Sequence, residues 1–356
     1  MAIQKNWWDL TLCGSKLLRE SADALELGSS VALVGEAMLP WASYFYDSLK
    51  SATVSSAKTF DIVNDESVTN PGAFLLEKYC THEAQSRFWP EPSSYTHAEY
   101  LGEIDDSLLN HRFIIVRNFA SDKRFKAWCD FITRYLKRIE QLGKNKSERG
   151  IFLLDATGIV SAYNSCYIKP LPFSPKEVDV LTYNLLNTYE SYSDYMRNRY
   201  AAELISELCD KKLELAGYLS LRKDLIESPV RAYSLCSEDY GDSFPRITDE
   251  QVLSRAIMAQ YKVLLPLVEK RRHMLIKKYY DSISRCLPWT NDYNEYKSAP
   301  FDMELRDIVF KASEIGMSPE DKLISVTMRD IRNQLAHNHL LTSAEITALD
   351  NCTVKT

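Results

Sequence analysis

Residues 30 to 42 read SVALVGEAMLPWA, an apolar run that ends at a glycine and continues into a short polar-poor turn. Short runs rich in Val, Leu and Ile are typical of β-strands that are buried on both faces of a sheet. Four similar runs follow, at residues 59–64, 112–119, 151–158 and 165–171. The segments between the runs are long enough for helices. The first half is therefore predicted to be α/β, with a parallel sheet covered by helices.

Two of the connecting segments carry the apolar spacing of amphipathic helices. These segments are residues 38–52 and residues 123–144. The second contains Gly143 close to its end, and glycine is a common residue just past the end of a helix. A helix is therefore predicted in each segment.

The second half of the chain changes to helical periodicity from residue 174 onward. Helices are predicted at about residues 175–190, 193–227, 249–286, 302–315 and 319–340. Three helix starts are marked by SPKE at 174–177, TDEQ at 248–251 and SPED at 318–321. The Ser-, Pro-, Gly- and Asp-rich residues 228–246 are predicted to form a loop. The expected fold is thus α/β plus α, with a C-terminal helical bundle.

The length and charge of the chain limit its organisation and its partners. A chain of 356 residues favours two domains, which we place at residues 1–190 and 191–356. A net charge of −6 opposes a chain-wide attraction to nucleic acid or to an anionic membrane. No stretch reaches the length of a signal sequence or of a membrane helix, which favours a cytoplasmic protein without a membrane partner.

Cysteine and histidine spacing gives no sign of a metal site or of a disulfide framework. The eight cysteines form no CxxC pair, as expected of thiols in a reducing compartment. The histidines have no metal-ligand spacing either. No metal and no cofactor is therefore expected. The basic stretch 269–280, EKRRHMLIKKYY, is predicted to be a solvated face of an amphipathic helix, with a phosphate-binding stripe as the alternative.

The predicted helix 319–340, which contains RDIRNQLAH at 329–337, separates into two faces when it is projected on a helix at about 100° per residue. Ile324, Met328, Ile331 and Leu335 form an apolar stripe that is predicted to be buried. The opposite side carries two arginines, an amide, an imidazole and a small alanine: Arg329, Arg332, Asn333, Ala336 and His337. This face suits a second helix or a phosphate group, so it is the candidate interaction surface.

The strand, loop and helix at residues 30–52 resemble the start of a P-loop NTPase of the AAA or STAND type. The resemblance covers about residues 10–190. Gly35 matches the first glycine of the phosphate-binding loop, but Pro40, Trp41 and Ala42 stand where the second glycine, the lysine and the magnesium-binding hydroxyl belong. The resemblance therefore implies a degenerate domain that neither binds nor hydrolyses nucleotide. A fold unrelated to P-loop proteins is the alternative.

Two further positions bear on the same resemblance. Arg117 and Asn118 end the third apolar run, where magnesium-dependent hydrolysis in this family uses an acidic residue. Asp155 and Thr157 stand where a sensor residue would lie. Without a phosphate loop, these two residues are expected to be turn and cap residues.

The segment RNQLAH, residues 332–337, resembles the signature of HEPN domains, which are helical bundles that commonly dimerise and, in active members, cleave RNA without a metal. The resemblance implies that Arg332 and His337 form a catalytic pair with Asn333 as a polar companion. His337 would transfer a proton and Arg332 would offset charge on the phosphorane. On one ideal helix this pair does not converge, so a bent helix end or a partner protomer would be needed.

A structural role for the same residues is the alternative. In it, Asn333 and His337 hydrogen-bond to neighbouring loops and the arginines form surface ion pairs.

A protein that combines these two modules resembles components of prokaryotic conflict or antiphage systems. The two resemblances imply a non-hydrolysing, ATPase-like scaffold or regulatory protein whose helical domain binds another subunit or a second copy of the chain. The alternative is a metal-independent endoribonuclease effector that acts on RNA through Arg332 and His337.

Overall fold

The computed structural model describes residues 2–53, 57–91, 95–159, 165–192, 194–210, 212–240 and 246–352. The chain divides into two compact units, residues 1–179 and residues 180–356. The sequence analysis placed this boundary after residue 190. The observed division falls inside one helix, Glu177–Thr188.

The first unit is built on a five-stranded sheet in which all strands are parallel. Its spatial order is β2-β3-β4-β1-β5. The strands are β1 Ser30–Gly35, β2 Thr59–Asn64, β3 Arg112–Arg117, β4 Ile151–Thr157 and β5 Ile168–Pro172. All five predicted strands and their parallel arrangement are confirmed.

Burial on both faces holds for the three inner strands and fails for the two edge strands. In β2 only Val63 is buried, while Ile62 is exposed. In β5 the middle residues Lys169 and Pro170 are exposed. An edge strand has a neighbour on one side only, so part of its surface stays in contact with water. The prediction that every strand is buried on both faces was wrong for β2 and β5.

The described residues of the first unit contain eight α-helices, which lie in the connections from β1 to β2, from β2 to β3 and from β3 to β4 and at the two ends of the unit. They are α1 Ala2–Lys5, α2 Leu12–Glu26, α3 Ala42–Ala52, α4 Pro71–Tyr79, α5 His82–Arg87, α6 His97–Glu103, α7 Asp122–Gln141 and the shared α8 Glu177–Thr188. Both predicted helices are present, as α3 and α7. The chain leaves α7 through Gly143, whose φ of +66° is the left-handed conformation that glycine adopts without strain.

One layer of the core of the first unit lies between the sheet and the aromatic face of α7. Trp128, Phe131 and Tyr135 of this helix surround Phe152 of β4, with ring centroids about 6 Å apart. Trp128, Tyr135 and Phe152 are completely buried. Each such ring removes a large apolar area from water, so this layer contributes much of the hydrophobic stabilisation and holds β4 in place.

In its described residues, the second unit consists of helices, their connecting segments and one short antiparallel hairpin. Its helices are α9 Tyr195–Cys209, α10 Leu213–Ser220, α11 Pro229–Tyr240, α12 Asp249–Lys278, α13 Tyr280–Arg285, α14 Leu305–Phe310, α15 Ala312–Ile315, α16 Pro319–Ala336 and α17 Ser343–Asn351. The hairpin strands are β6 Trp289–Thr290 and β7 Tyr296–Lys297. Helix α12 packs against α9 and α16.

Two sequence predictions for this unit are corrected. The single helix predicted at 193–227 is interrupted, because the chain leaves α9 through Asp210 with φ +52°. The loop predicted at 228–246 contains α11, although residues 241–245 lie outside the described part of the chain. Ala232, Tyr233 and Cys236 form a buried stripe on α11. Tertiary packing of that stripe outweighs the turn-forming composition of the segment.

The helix starts at TDEQ and SPED are confirmed in detail. Thr248 and Gln251 form a reciprocal capping box at the start of α12, and the Ser318 side chain caps α16. The basic stretch of α12 is less solvated than predicted, because Arg272 is buried and its guanidinium donates to the carbonyl of Met303 at 2.8 Å. No helix in the described ranges has the length and apolar character needed to cross a membrane.

Candidate functional site

The first candidate region is the edge of the sheet where the parallel strands end, called the carboxyl edge here. In the strand order, β1 is followed along the chain by β2 at one end of the sheet, and β4 is followed by β5 at the other end. Strands β1 and β4 are neighbours, with Gly35 paired to Thr157. In open α/β sheets, ligands bind in the crevice where neighbouring connections diverge in this way. The carboxyl ends of β1 and β4 are therefore a candidate ligand-binding site.

Backbone groups at the end of β1 and in the loop that follows it form hydrogen bonds with other parts of the first unit. The Leu39 N–H donates to the Thr157 hydroxyl at 3.2 Å, and the Gly158 N–H donates to the Gly35 carbonyl at 2.8 Å. Pro40 has no N–H, and its carbonyl accepts from the Trp8 indole at 3.1 Å. A phosphate-binding loop needs backbone N–H groups that point outward. Here the Leu39 group is engaged inside the fold and Pro40 offers none.

Trp41 and Ala42 occupy the start of α3. Trp41 has φ +46° and ψ +50°, a left-handed conformation that is unusual for a bulky residue. It precedes the helix without a side-chain cap, and Ala42 is the first helical residue. Gly35 is also constrained, because a Cβ at this position would lie 2.3 Å from the Phe173 carbonyl oxygen. The glycine is therefore explained by close packing of the β5 connection, without reference to a phosphate.

Asp155 and Thr157 form a hydrogen-bonded cluster with Tyr46 of α3. The Tyr46 hydroxyl donates to Asp155 Oδ2 and the Thr157 hydroxyl donates to Asp155 Oδ1, each at 2.6 Å. Burial raises the pKa of Asp155 above its ordinary value, and burial together with the nearby carboxylate raises that of Tyr46. The expectation that Asp155 and Thr157 are turn and cap residues was wrong. Both lie within β4 and join the strand to α3 and to the loop.

The ends of β2 and β3 continue this polar network. Arg117 donates to Asn64 Oδ1 at 2.8 Å, and its guanidinium lies 6.0 Å from the centre of the Tyr46 ring. Asn118 has φ +57° and contacts the same Asn64 oxygen. As expected from the sequence, no carboxylate stands at the end of β3, and the residues that do stand there are bound to their neighbours.

Asp65 is a buried residue of this edge that sequence reasoning missed. It follows β2 and accepts from Arg124 at 3.0 and 2.9 Å and from the Trp128 indole at 2.8 Å. Its side chain is fully buried. The available signal was an aspartate directly after an apolar strand, with an arginine and a tryptophan four residues apart on α7. Spacing on one helix cannot show that both side chains reach the end of a strand some sixty residues earlier.

The second candidate region is the α16 face, made of Arg329, Arg332, Asn333, Ala336 and His337. The four residues of the predicted apolar stripe, Ile324, Met328, Ile331 and Leu335, are buried as predicted. Asn333, Ala336 and His337 are exposed. Arg329 pairs with Asp330 at 2.7 Å, and Arg332 lies 3.7 Å from Glu304. The arginines thus form the surface ion pairs that the structural alternative anticipated.

The helix end next to this face is held by two neighbouring helices. Tyr261 of α12 donates to the Leu335 carbonyl at 2.9 Å and also contacts Asn338. Gln334 donates to Glu345 of α17. Helix α16 ends at Ala336, and Asn338 with φ +57° turns the chain away. These contacts fix where the His337 backbone lies.

The proposed pair Arg332 and His337 is not joined within one chain. Between the described atoms of these two residues there is no hydrogen bond. The His337 ring instead lies 6.3 Å from the ring of His339, which is also exposed. The described parts of the chain hold no group of three or more His, Cys, Asp and Glu side chains that could bind a metal ion.

Comparison with known proteins adds no assignment to this geometry. The chain matches no protein-family model. It also matches no curated protein.

Proposed function

We propose that this protein is a non-hydrolysing, ATPase-like scaffold of a prokaryotic defence or conflict system, and that its helical unit binds a partner protein. The observation that carries the proposal is the loop after β1, where the Leu39 N–H donates to Thr157 and Pro40 has no N–H to offer. A domain with this loop retains the parallel sheet. The Leu39 N–H, which could otherwise bind phosphate, is bound to Thr157 instead.

The arrangement of the sheet supports the ATPase-like part of the proposal. The sheet is all parallel in the order β2-β3-β4-β1-β5, and residues 30–52 form a strand, a loop and a helix in the sequence order of a P-loop domain. The loop after β1, the end of β3 and the end of β4 lie at one edge, where such domains hold phosphate and magnesium. The first two of these positions carry departures: Trp41 for the lysine and Ala42 for the hydroxyl after β1, and Arg117 with Asn118 for the acidic residue at the end of β3.

The α16 face supports the partner-binding part of the proposal. Small Ala336 permits the close approach of a second helix, and Asn333 and His337 offer hydrogen-bonding groups around it. The two arginines are already paired with acidic neighbours, so the face is close to neutral. A nearly neutral face with a small residue at its centre suits a protein surface, either another subunit or a second copy of this chain, better than a polyanion.

Two experiments test this proposal. Titration calorimetry of the full chain with MgATP should show no binding, and micromolar affinity would overturn the proposed role of Pro40 and Trp41. Co-expression with the chains of neighbouring genes should yield a stable complex that Ala336→Arg disrupts. Leu323→Arg, at an exposed position near the other end of α16, is the matched control and should leave the complex intact. A complex that survives Ala336→Arg would remove the α16 face from the proposal, and light scattering would show whether the partner is a second copy.

A metal-independent endoribonuclease is the second candidate function. The observation that favours it is the exposure of His337 at a helix end, beside a face that also carries Arg332 and Asn333. A second protomer could bring an arginine and an imidazole together across such a face. Incubation of the chain with RNA in EDTA should then give cleavage that His337→Ala abolishes and His339→Ala retains. Equal activity of the two variants would exclude His337 as the proton-transfer group.

A further inference from the structure

A ladder of stacked rings and cations lies on the second unit, on α14 and the hairpin that precedes it. The guanidinium of Arg306 lies 4.1 Å from the centre of the Tyr293 ring. The rings of Phe310 and Trp289 are stacked at 5.8 Å, and the Lys311 ammonium lies 5.0 Å from the Trp289 ring. Arg306 and Phe310 are one helical turn apart on α14. We call these five residues the aromatic ladder.

The outer rings of the aromatic ladder are exposed to an extent that is unusual for large apolar side chains. Tyr293 is 70% exposed and Phe310 is 63% exposed. Tyr296, in the same hairpin, is 67% exposed. Aromatic side chains that project from a surface in this way are the residues that most often supply binding energy in protein interfaces. The aromatic ladder is therefore a candidate docking surface.

The hairpin that carries Tyr293 is rigidly supported. The Asn291 side chain accepts from the backbone N–H groups of Tyr293 and Glu295, each at 3.0 Å. Its amide donates to Asp307 of α14 at 3.1 Å. Because Asn291 is buried and joins the turn to the helix, the backbone that carries the Tyr293 ring is anchored to α14. A surface ordered in advance loses less entropy on binding.

The charge around the aromatic ladder indicates which partner suits it. Both cations of the ladder are already neutralised, Arg306 by Glu295 and Lys311 by Glu314. Residues 280–315 carry seven acidic and four basic side chains. The unbalanced carboxylates repel nucleic acid and attract cations. Exposed aromatic faces also bind guanidinium and ammonium groups.

We propose that the aromatic ladder docks an arginine- or lysine-rich segment of a partner protein, whose cations stack on the exposed faces of Tyr293 and Phe310. Arg306 and Tyr293 already form one such contact between a cation and an aromatic ring within the ladder. Nearby carboxylates such as Asp292 supply the long-range attraction. Glu304, at the start of α14, is paired with Arg332 of the α16 face, but none of the five ladder residues belongs to that face. The proposal does not depend on the function proposed for the α16 face.

Fluorescence anisotropy of the full chain with a labelled peptide of alternating arginine and serine tests the proposal. The peptide should bind saturably, and a peptide of alternating glutamate and serine should not. Tyr293→Ala and Phe310→Ala should each weaken arginine-peptide binding by about fivefold, whereas Tyr293→Phe keeps the ring and should keep most of the affinity. Tyr189→Ala, at a position that is 63% exposed elsewhere on the second unit, is the matched control.

The outcomes that overturn the proposal are also defined. Absence of saturable binding would end it, as would equal affinity of Tyr293→Ala and Tyr189→Ala. Tighter binding of labelled oligouridylate that requires Tyr293 would assign the ladder to nucleic acid instead. If a ring variant does not fold, Asp292→Asn provides a second test, because it removes one exposed carboxylate and leaves the rings unchanged. It should weaken the arginine peptide at low salt and have little effect at high salt.

Discussion

The carboxyl edge of the sheet and the α16 face carry similar side chains in opposite situations. At the edge, Asp65, Asp155 and Arg117 have partners supplied by the fold itself. On α16, Asn333 and His337 are exposed at the surface. Polar groups that are already bound inside the fold act mainly in stability, whereas polar groups that project from a fixed helix remain available to a partner. We therefore assign partner binding to the α16 face and a structural role to the polar groups of the carboxyl edge.

The strongest test of this contrast is the removal of the Asp65 carboxylate. Asp65→Ala leaves the Arg124 guanidinium and the Trp128 indole without their acceptor in a buried site. Loss of one partner from such a network is expected to lower the free energy of unfolding by about 3 kcal/mol. Urea unfolding of the full chain, followed by circular dichroism, measures the change.

Asp47→Ala is the control for this substitution. Asp47 pairs with Lys50, but its side chain is 74% exposed, and surface ion pairs of this kind contribute at most about 0.5 kcal/mol. A similar loss of unfolding free energy in both variants would mean that the Asp65 contacts stabilise the fold no more than a surface ion pair does.

The sequence predicted the sheet well because central parallel strands leave uninterrupted apolar runs. β1, β3 and β4 were located for this reason, and the same reasoning placed Gly35 at the end of β1 and Trp41 in the connection to α3. It could not identify the exposed faces of β2 and β5, since an apolar run does not show how many neighbours its strand has. Helix α11 was missed because only the packing of Ala232 and Cys236 reveals that its polar sequence has a buried side.

The candidate sites were predicted less completely than the fold. The buried stripe and exposed face of α16 follow from helical periodicity within one segment, and the structure agrees with both. Tyr46, Asp155 and Leu39 come together from three separate segments, and no local pattern contains that information. The aromatic ladder is also assembled from two segments that are not adjacent in sequence.

A second test concerns the hydroxyl that holds the loop after β1. Thr157→Val removes the acceptor of the Leu39 N–H and a donor to Asp155 while keeping the shape of the side chain. We expect a loss of about 1 kcal/mol in the free energy of unfolding, because the site is only partly buried. Thr157→Ser retains the hydroxyl and should recover most of that loss in urea titrations. A neutral Thr157→Val variant would indicate that the loop is not held by this contact.

The pH dependence of stability gives a third test at the carboxyl edge. Burial raises the folded-state pKa of Asp155 above 3.8, so folding favours the protonated form. This contribution to stability is present at acid pH and is lost as the pH rises through the folded-state pKa. Asp155→Asn cannot titrate. The wild-type chain should therefore lose stability relative to the variant as the pH rises above the unfolded-state pKa of aspartate, as measured by urea midpoints. Parallel curves for the two proteins would contradict the assigned environment.

The smallest expected effect lies on the α16 face. His337→Ala removes an exposed ring, and an exposed side chain away from the core contributes within about 0.5 kcal/mol of zero to the free energy of unfolding. Helix α16 should keep its end, because Tyr261 still donates to the Leu335 carbonyl. Thermal unfolding of wild type and variant should therefore coincide, and any change in partner binding or RNA cleavage can then be assigned to the lost imidazole. A large loss of stability would instead mean that this face is part of the structural framework, as the carboxyl edge is, and that the two regions do not differ in the way their contacts indicate.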